Sequence, residues 1–131
     1  MQRNATTLFA MLALGMSGAA YAQANAPTEA QRIGYNELRS GKNLAAIQEI
    51  KSNAALSADD PAGNINLAIA YAREGREEEA RECFEMALAS SERVSLQTAS
   101  GEWIDSRELA RAGLRKLALG TFSQERLAAN R

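Results

Sequence analysis

This 131-residue sequence has no histidine and a single cysteine, Cys83, and those two shortages remove most catalytic and metal-binding chemistries before any motif is read. Without histidine there is no Ser–His or Cys–His nucleophile pair, no imidazole general base and no imidazole metal ligand. One cysteine excludes an internal disulfide and the multi-cysteine spacing of structural zinc sites. Excess charge of one sign is also missing. The 15 Lys and Arg against 16 Asp and Glu leave a net charge of -1 and a pI near 5.6, whereas nucleic-acid binders carry a strongly basic patch or pI. There is no Gly-rich phosphate loop. Catalysis by carboxylates alone needs two of them placed in a cleft, and the acidic residues here lie mostly on predicted helix starts and outer faces. The sequence therefore reads as non-enzymatic, with no cofactor, no metal and no nucleic-acid partner.

Long apolar runs are absent too. The longest apolar stretch, Leu8 to Leu14, falls well short of the roughly 20 residues a membrane span needs. It follows Arg3 within "TLFAMLALGMSGAAYA" and precedes an A-x-A site formed by Ala20, Tyr21 and Ala22, so residues 1–22 are expected to be a secretory signal peptide cleaved after Ala22. Cleavage removes Arg3 and no acidic residue, taking the net charge from -1 to -2. No cysteine follows for lipid attachment. The mature chain is expected to start at Gln23, in the periplasm or outside the cell, with no transmembrane segment and with Cys83 as a buried, inert thiol.

Residues 23–27 form a linker, and from Thr28 the pattern turns helical. Thr28 and Gln31 make a capping box for a first helix that carries Ile33 and Leu38 and stops at Gly41. A second helix is predicted from Asn43 to about Ser57, with Leu44, Ile47, Ile50 and Ala54 on one face. Asp60 and Pro61 start a third that ends at Gly75, and a fourth covers Glu77 to Ala89. The period then changes to two at Val94, Leu96 and Thr98. The turn "TASG" with Gly101 and a second strand at Trp103 and Ile104 complete a β-hairpin, with Trp103 expected as a core plug at its junction with the next helix. Asp105 and Glu108 open a last helix with Leu109, Ala110, Leu114 and Leu117 on its apolar face, ending near Gly120. The segments are thus 28–92, two helical hairpins; 93–120, β-hairpin and capping helix; and 121–131, a tail in which a frayed helix fits.

Compared with itself at an offset of 34, the chain aligns Ile33 with Leu67, Gly34 with Ala68, Arg39 with Arg73, Gly41 with Gly75, Ala46 with Ala80 and Ile50 with Phe84. Small Ala68 and Ala80 suit a close helix crossing, Tyr71 and Phe84 fill the space beside it, and Gly75 permits a left-handed turn. The second copy, "PAGNINLAIAYAREGREEEARECFEMAL", resembles the tetratricopeptide repeat family, whose period this is. In the first copy Glu37 stands in place of Tyr71 and Asn53 in place of Ala87. "SGEWIDSRELARAGLRKL" is also similar to the C-terminal part of small exported proteobacterial members. The implied fold is mainly α, an antiparallel helix-hairpin solenoid of about two repeats followed by a short β-hairpin and a C-terminal capping helix.

That resemblance implies a protein–protein interaction module, a scaffold or adaptor that holds a peptide in a concave groove lined by the first helix of each repeat. By register the groove residues are Gln31, Tyr35 and Arg39, then Ile65, Ile69 and Arg73, with Arg39 and Arg73 either forming a ladder able to pair with a carboxylate or standing as solvated residues near helix C-termini, where the helix dipole favours a cation. The alternative is structural self-association, a homodimer burying Tyr35, Leu38, Ile65 and Ile69. Arg107, Arg111 and Arg115 form a second candidate feature, a basic stripe at i, i+4, i+8. It could pair with the acidic helix start at Glu77, Glu78 and Glu79, or with an anionic partner, or remain solvated.

Overall fold

The computed structural model describes residues 32–131; the expected leader, the linker, the Thr28 capping box and candidate groove residue Gln31 lie outside them. The described chain is mainly helical, with six helices and one antiparallel pair of strands: α1 (Tyr35–Arg39), α2 (Asn43–Ser52), α3 (Pro61–Arg73), α4 (Glu77–Ala89), β1 (Ser95–Gln97), β2 (Trp103–Asp105), α5 (Ser106–Ala118) and α6 (Thr121–Ala129).

Local chemistry sets the helix ends. The Asp60 carboxylate accepts a hydrogen bond from the Gly63 N–H, and Pro61 sits at the first helical position, where its missing N–H costs nothing. At the far end of α3, Gly75 adopts φ 78°, its N–H donates to Ala72 O at 3.1 Å, and the Arg76 N–H donates to Tyr71 O at 2.9 Å. This pair of bonds closes a helix on a left-handed residue and satisfies carbonyls that would otherwise be orphaned. Gly41, at φ 73°, donates in the same way to Leu38 O at 3.1 Å, and Lys42 donates to Glu37 O at 2.8 Å. The α1–α2 and α3–α4 turns are therefore built alike, 34 residues apart.

Helix α3 is the axis of the core. It packs against α4 most extensively, and against α1, α2, α5 and α6. Ala68 and Ala80 are fully buried, which lets the helices approach closely, and Tyr71 and Phe84 are buried beside them. Helix α5 packs on α4, and at Gly113 an added Cβ would stand 2.3 Å from the Phe84 ring. Phe122 of α6 stacks on the same ring, with centroids 6.5 Å apart. Chain 121–131, expected as a tail, is thus a helix anchored by Phe122 and by a 2.8 Å hydrogen bond from the Ser123 hydroxyl to the Glu77 carboxylate.

Three further expectations are corrected. The first helix is not continuous: Gly34 takes φ 73° immediately before α1, and a Cβ there would lie 2.6 Å from Ile50 Cδ1. Helix α2 stops at Ser52 because the Asn53 side chain accepts the Ala55 N–H at 2.9 Å, forming a local turn; Ala54 is exposed as a result, and Leu44 is 65% exposed. Trp103 does not plug the core; it is 37% exposed. The ladder pairs Ser95 with Asp105, Leu96 with Ile104 and Gln97 with Trp103, so Trp103 shares the outer face with Gln97 while Leu96 and Ile104 turn inward. The junction is filled by buried Ser106, whose N–H donates to Val94 O at 2.8 Å and whose hydroxyl accepts from the Val94 N–H at 3.3 Å.

Candidate functional site

Tyr35 and Arg39 are one turn apart on α1, and Ile65, Ile69 and Arg73 recur at four-residue intervals along α3, so each set forms a stripe on one helix face. Two side-chain bonds hold α1 and the residues just before it against α3. The Asn66 amide donates to Ile33 O at 3.2 Å, and Arg73 Nη1 donates to Leu38 O at 2.8 Å, where the final turn of α1 presents carbonyls. Side by side, the stripes form one wall of a cavity of about 340 Å³. All five described groove residues line it: Tyr35, Arg39, Ile65, Ile69 and Arg73.

The facing wall comes from Leu96, Gln97, Thr98 and Ala99 of the β-hairpin and from Leu109 of α5, while Arg32, Leu38 and Asn66 complete the lining. The 34-residue register could not find this wall, because the hairpin lies outside the segments it compares. The alternation of Val94, Leu96 and Thr98 marks an inward face, yet only the tertiary fold aims it at α1 and α3. Most of the surface is apolar, with three guanidinium groups and no carboxylate among the described lining residues. No family model, curated protein or solved structure matches this chain.

The two arginines of the expected ladder are differently engaged. Arg73 is tied to the Leu38 carbonyl, whereas the Arg39 guanidinium lies 5.9 Å from the centre of the Tyr35 ring, a cation–π contact at the outer limit of useful range. Neither forms an ion pair among the described residues. Behind this wall Glu37 and Glu49 meet. The hydrogen bond with Glu37, then burial and the repulsion between the two charges, hold the Glu49 carboxyl above the ordinary carboxylate range, opposed by the Gly34 N–H.

The basic stripe is not brought onto the acidic helix start. Glu79 pairs with Arg76 at 2.8 Å and Glu78 with Arg81 at 3.8 Å. The Glu79 carboxylate is held below its ordinary range first by its own backbone N–H and then by Arg76. Arg107 instead donates to Ser90 O at 3.0 Å, with its Nε buried and unpartnered, while Arg111 and Arg115 are exposed. Cys83 is buried, and burial together with the Glu82 and Glu79 charges pushes its thiol up to about 11, so it is not a nucleophile at neutral pH. Among the described residues no group of three or more acidic or Cys side chains is placed to hold a metal ion, and no helix is long and apolar enough to cross a membrane.

Proposed function

We propose that this protein is a non-enzymatic, tetratricopeptide-like interaction module, exported to the cell envelope, that holds a segment of another protein in the cavity between α1, α3, the β-hairpin and α5. The carrying observation is that Tyr35, Arg39, Ile65, Ile69 and Arg73 line a single cavity of a size ordinary for ligand sites. The repeat reading is supported by the two left-handed turns at Gly41 and Gly75, closed by the same bonds at the same spacing. In this reading α1 and α3 are the first helices of successive repeats, and α5 and α6 cap the exposed side of the second. The hairpin turns an open repeat groove into a walled one.

The self-association reading finds less support. It needs Tyr35, Leu38, Ile65 and Ile69 to be buried by a second copy, and Leu38 and Ile65 are already buried within the monomer. The test is photo-crosslinking in cells with p-benzoylphenylalanine at Thr98, on the cavity wall, and at Glu85, exposed on α4. Adducts with another protein are expected from position 98 and not from position 85. Adducts only with a second copy of the chain would transfer the cavity to self-association, and no adduct at position 98 would remove the proposal. The intact mass of the exported protein reads the leader, with Gln23 as the expected first residue.

A further inference from the structure

We propose that the trough continues into a second, anion-binding subsite between the ends of α1, α3 and α6, so that the bound segment presents an apolar side chain to the first cavity and carboxylates to the second. The inference rests on the proposed function above and specifies the chemistry of its occupant. Leu38, Arg39 and Arg73 line both the cavity already described and an adjoining depression of about 580 Å³. The two spaces therefore meet along a ridge that carries two guanidinium groups.

In the second space Arg39 and Arg73 are joined by Arg126 of α6, giving three cations against two carboxylates, Glu74 and Glu125. Glu125 is already offset by Lys116 at 3.2 Å, and Glu74 accepts the Asn43 amide N–H at 3.0 Å. None of the three arginines has a carboxylate partner among the described residues, although Arg76, Arg81 and Arg93 elsewhere each have one. An unpaired cluster of this kind favours a ligand that supplies the negative charge, through charge-assisted and bidentate bonds. An apolar cavity beside a cationic depression matches a peptide that carries an apolar side chain close to carboxylates, the occupant of the proposed function with its charge now specified.

The test is selection of a random dodecapeptide phage library on the purified protein, counter-selected against the Ile69→Arg variant, whose cavity is blocked. Enriched peptides should carry a leucine, isoleucine or phenylalanine followed within a few residues by aspartate or glutamate. Synthetic versions should lose about tenfold in affinity on Arg126→Gln or Arg39→Glu, the effect of losing a charge-assisted bond. The same peptides with glutamine in place of the acidic residues should be indifferent to Arg126→Gln. Far-UV circular dichroism confirms that each variant is folded, and Arg32→Glu is a second exposed change that should weaken the apolar end of the trough. Enriched peptides without carboxylates, or acidic peptides unaffected by Arg126→Gln, would overturn the anionic subsite and leave the groove reading standing. No enrichment over the Ile69→Arg variant would overturn both.

Discussion

Gly113→Ala places one methyl group in the crossing of α5 over α4. A helix gains about 1 kcal/mol from replacing an interior glycine by alanine, so on propensity alone the change stabilises α5. The new Cβ, however, would lie 2.3 Å from two carbons of the Phe84 ring and 2.7 Å from a third. Ordinary contact needs more than an ångström of extra space. The ring cannot easily supply it, because Phe84 is fully buried and Phe122 stacks on it. Overpacking of this kind costs up to about 3 kcal/mol, leaving a net loss of about 2 kcal/mol. In a domain of this size that is a fall of about 8–16 °C in melting temperature, readable by circular dichroism at 222 nm. Phe84→Leu removes the obstructing ring edge, and in that background Gly113→Ala should be neutral or stabilising by up to about 1 kcal/mol, a coupling of about 2–3 kcal/mol in a double-mutant cycle. If Gly113→Ala raised stability with Phe84 intact, α5 would not cross α4 over that ring.

Phe122→Ala should cost about 3–5 kcal/mol, the range for emptying a buried aromatic site, and should open α6 to tryptic cleavage after Arg126 in the otherwise folded protein. Asp60→Ala removes the cap on the Gly63 N–H and should lower stability by about 1 kcal/mol in urea titration without changing the helical spectrum. Cys83 should resist 5,5′-dithiobis(2-nitrobenzoate) at pH 8 until the chain is unfolded. Its thiol is raised from 9.0 to about 11 in the folded state, so unfolded chains lose that proton first: the stability from keeping it is fully present below pH 9.0 and lost as pH rises to about 11. The urea midpoint should therefore fall more steeply over that window in the parent than in Cys83→Ala, and equal slopes would show the thiol to be solvated.

The parts of this fold that were readable from sequence are those whose cause is local. Asp60 with Pro61, and Gly75 after an apolar stripe, delimit α3 by themselves, and α4 occupies Glu77 to Ala89 as its pattern indicates. The hairpin follows from alternation and a turn containing Gly101, which takes φ 89°. Misread features depend on distant contacts or on parity. Gly34 aligns with Ala68, in the middle of a helix, and only the approach of Ile50 shows why the chain breaks there. Trp103, expected as a plug at the junction of the hairpin with the next helix, is sent outward by its pairing opposite Gln97. The docking of α6 depends on Phe84, remote in sequence. The candidate site divides in the same way: its α1 and α3 wall was visible in the repeat register, while Leu96, Gln97 and Leu109 come together with it only in three dimensions.

The hairpin wall has a consequence for how such a protein can change over time. Two three-residue strands hold little structure of their own, so this wall stands because Leu96 is seated in the core and because the Arg93–Asp105 pair, at 2.8 Å, and Ser106 fasten its base. Its tip, Thr98 to Gly101, contributes Thr98 and Ala99 to the cavity and turns at Gly101, whose φ of 89° favours glycine, so the revisable positions are Thr98, Ala99 and Ser100. Substitutions or insertions at the tip can alter what the cavity admits without touching the packing of Phe84, Ala68 or Ala80. The molecule thus separates the residues that keep it folded from a few that shape the cavity mouth, and the second set sits on one short loop.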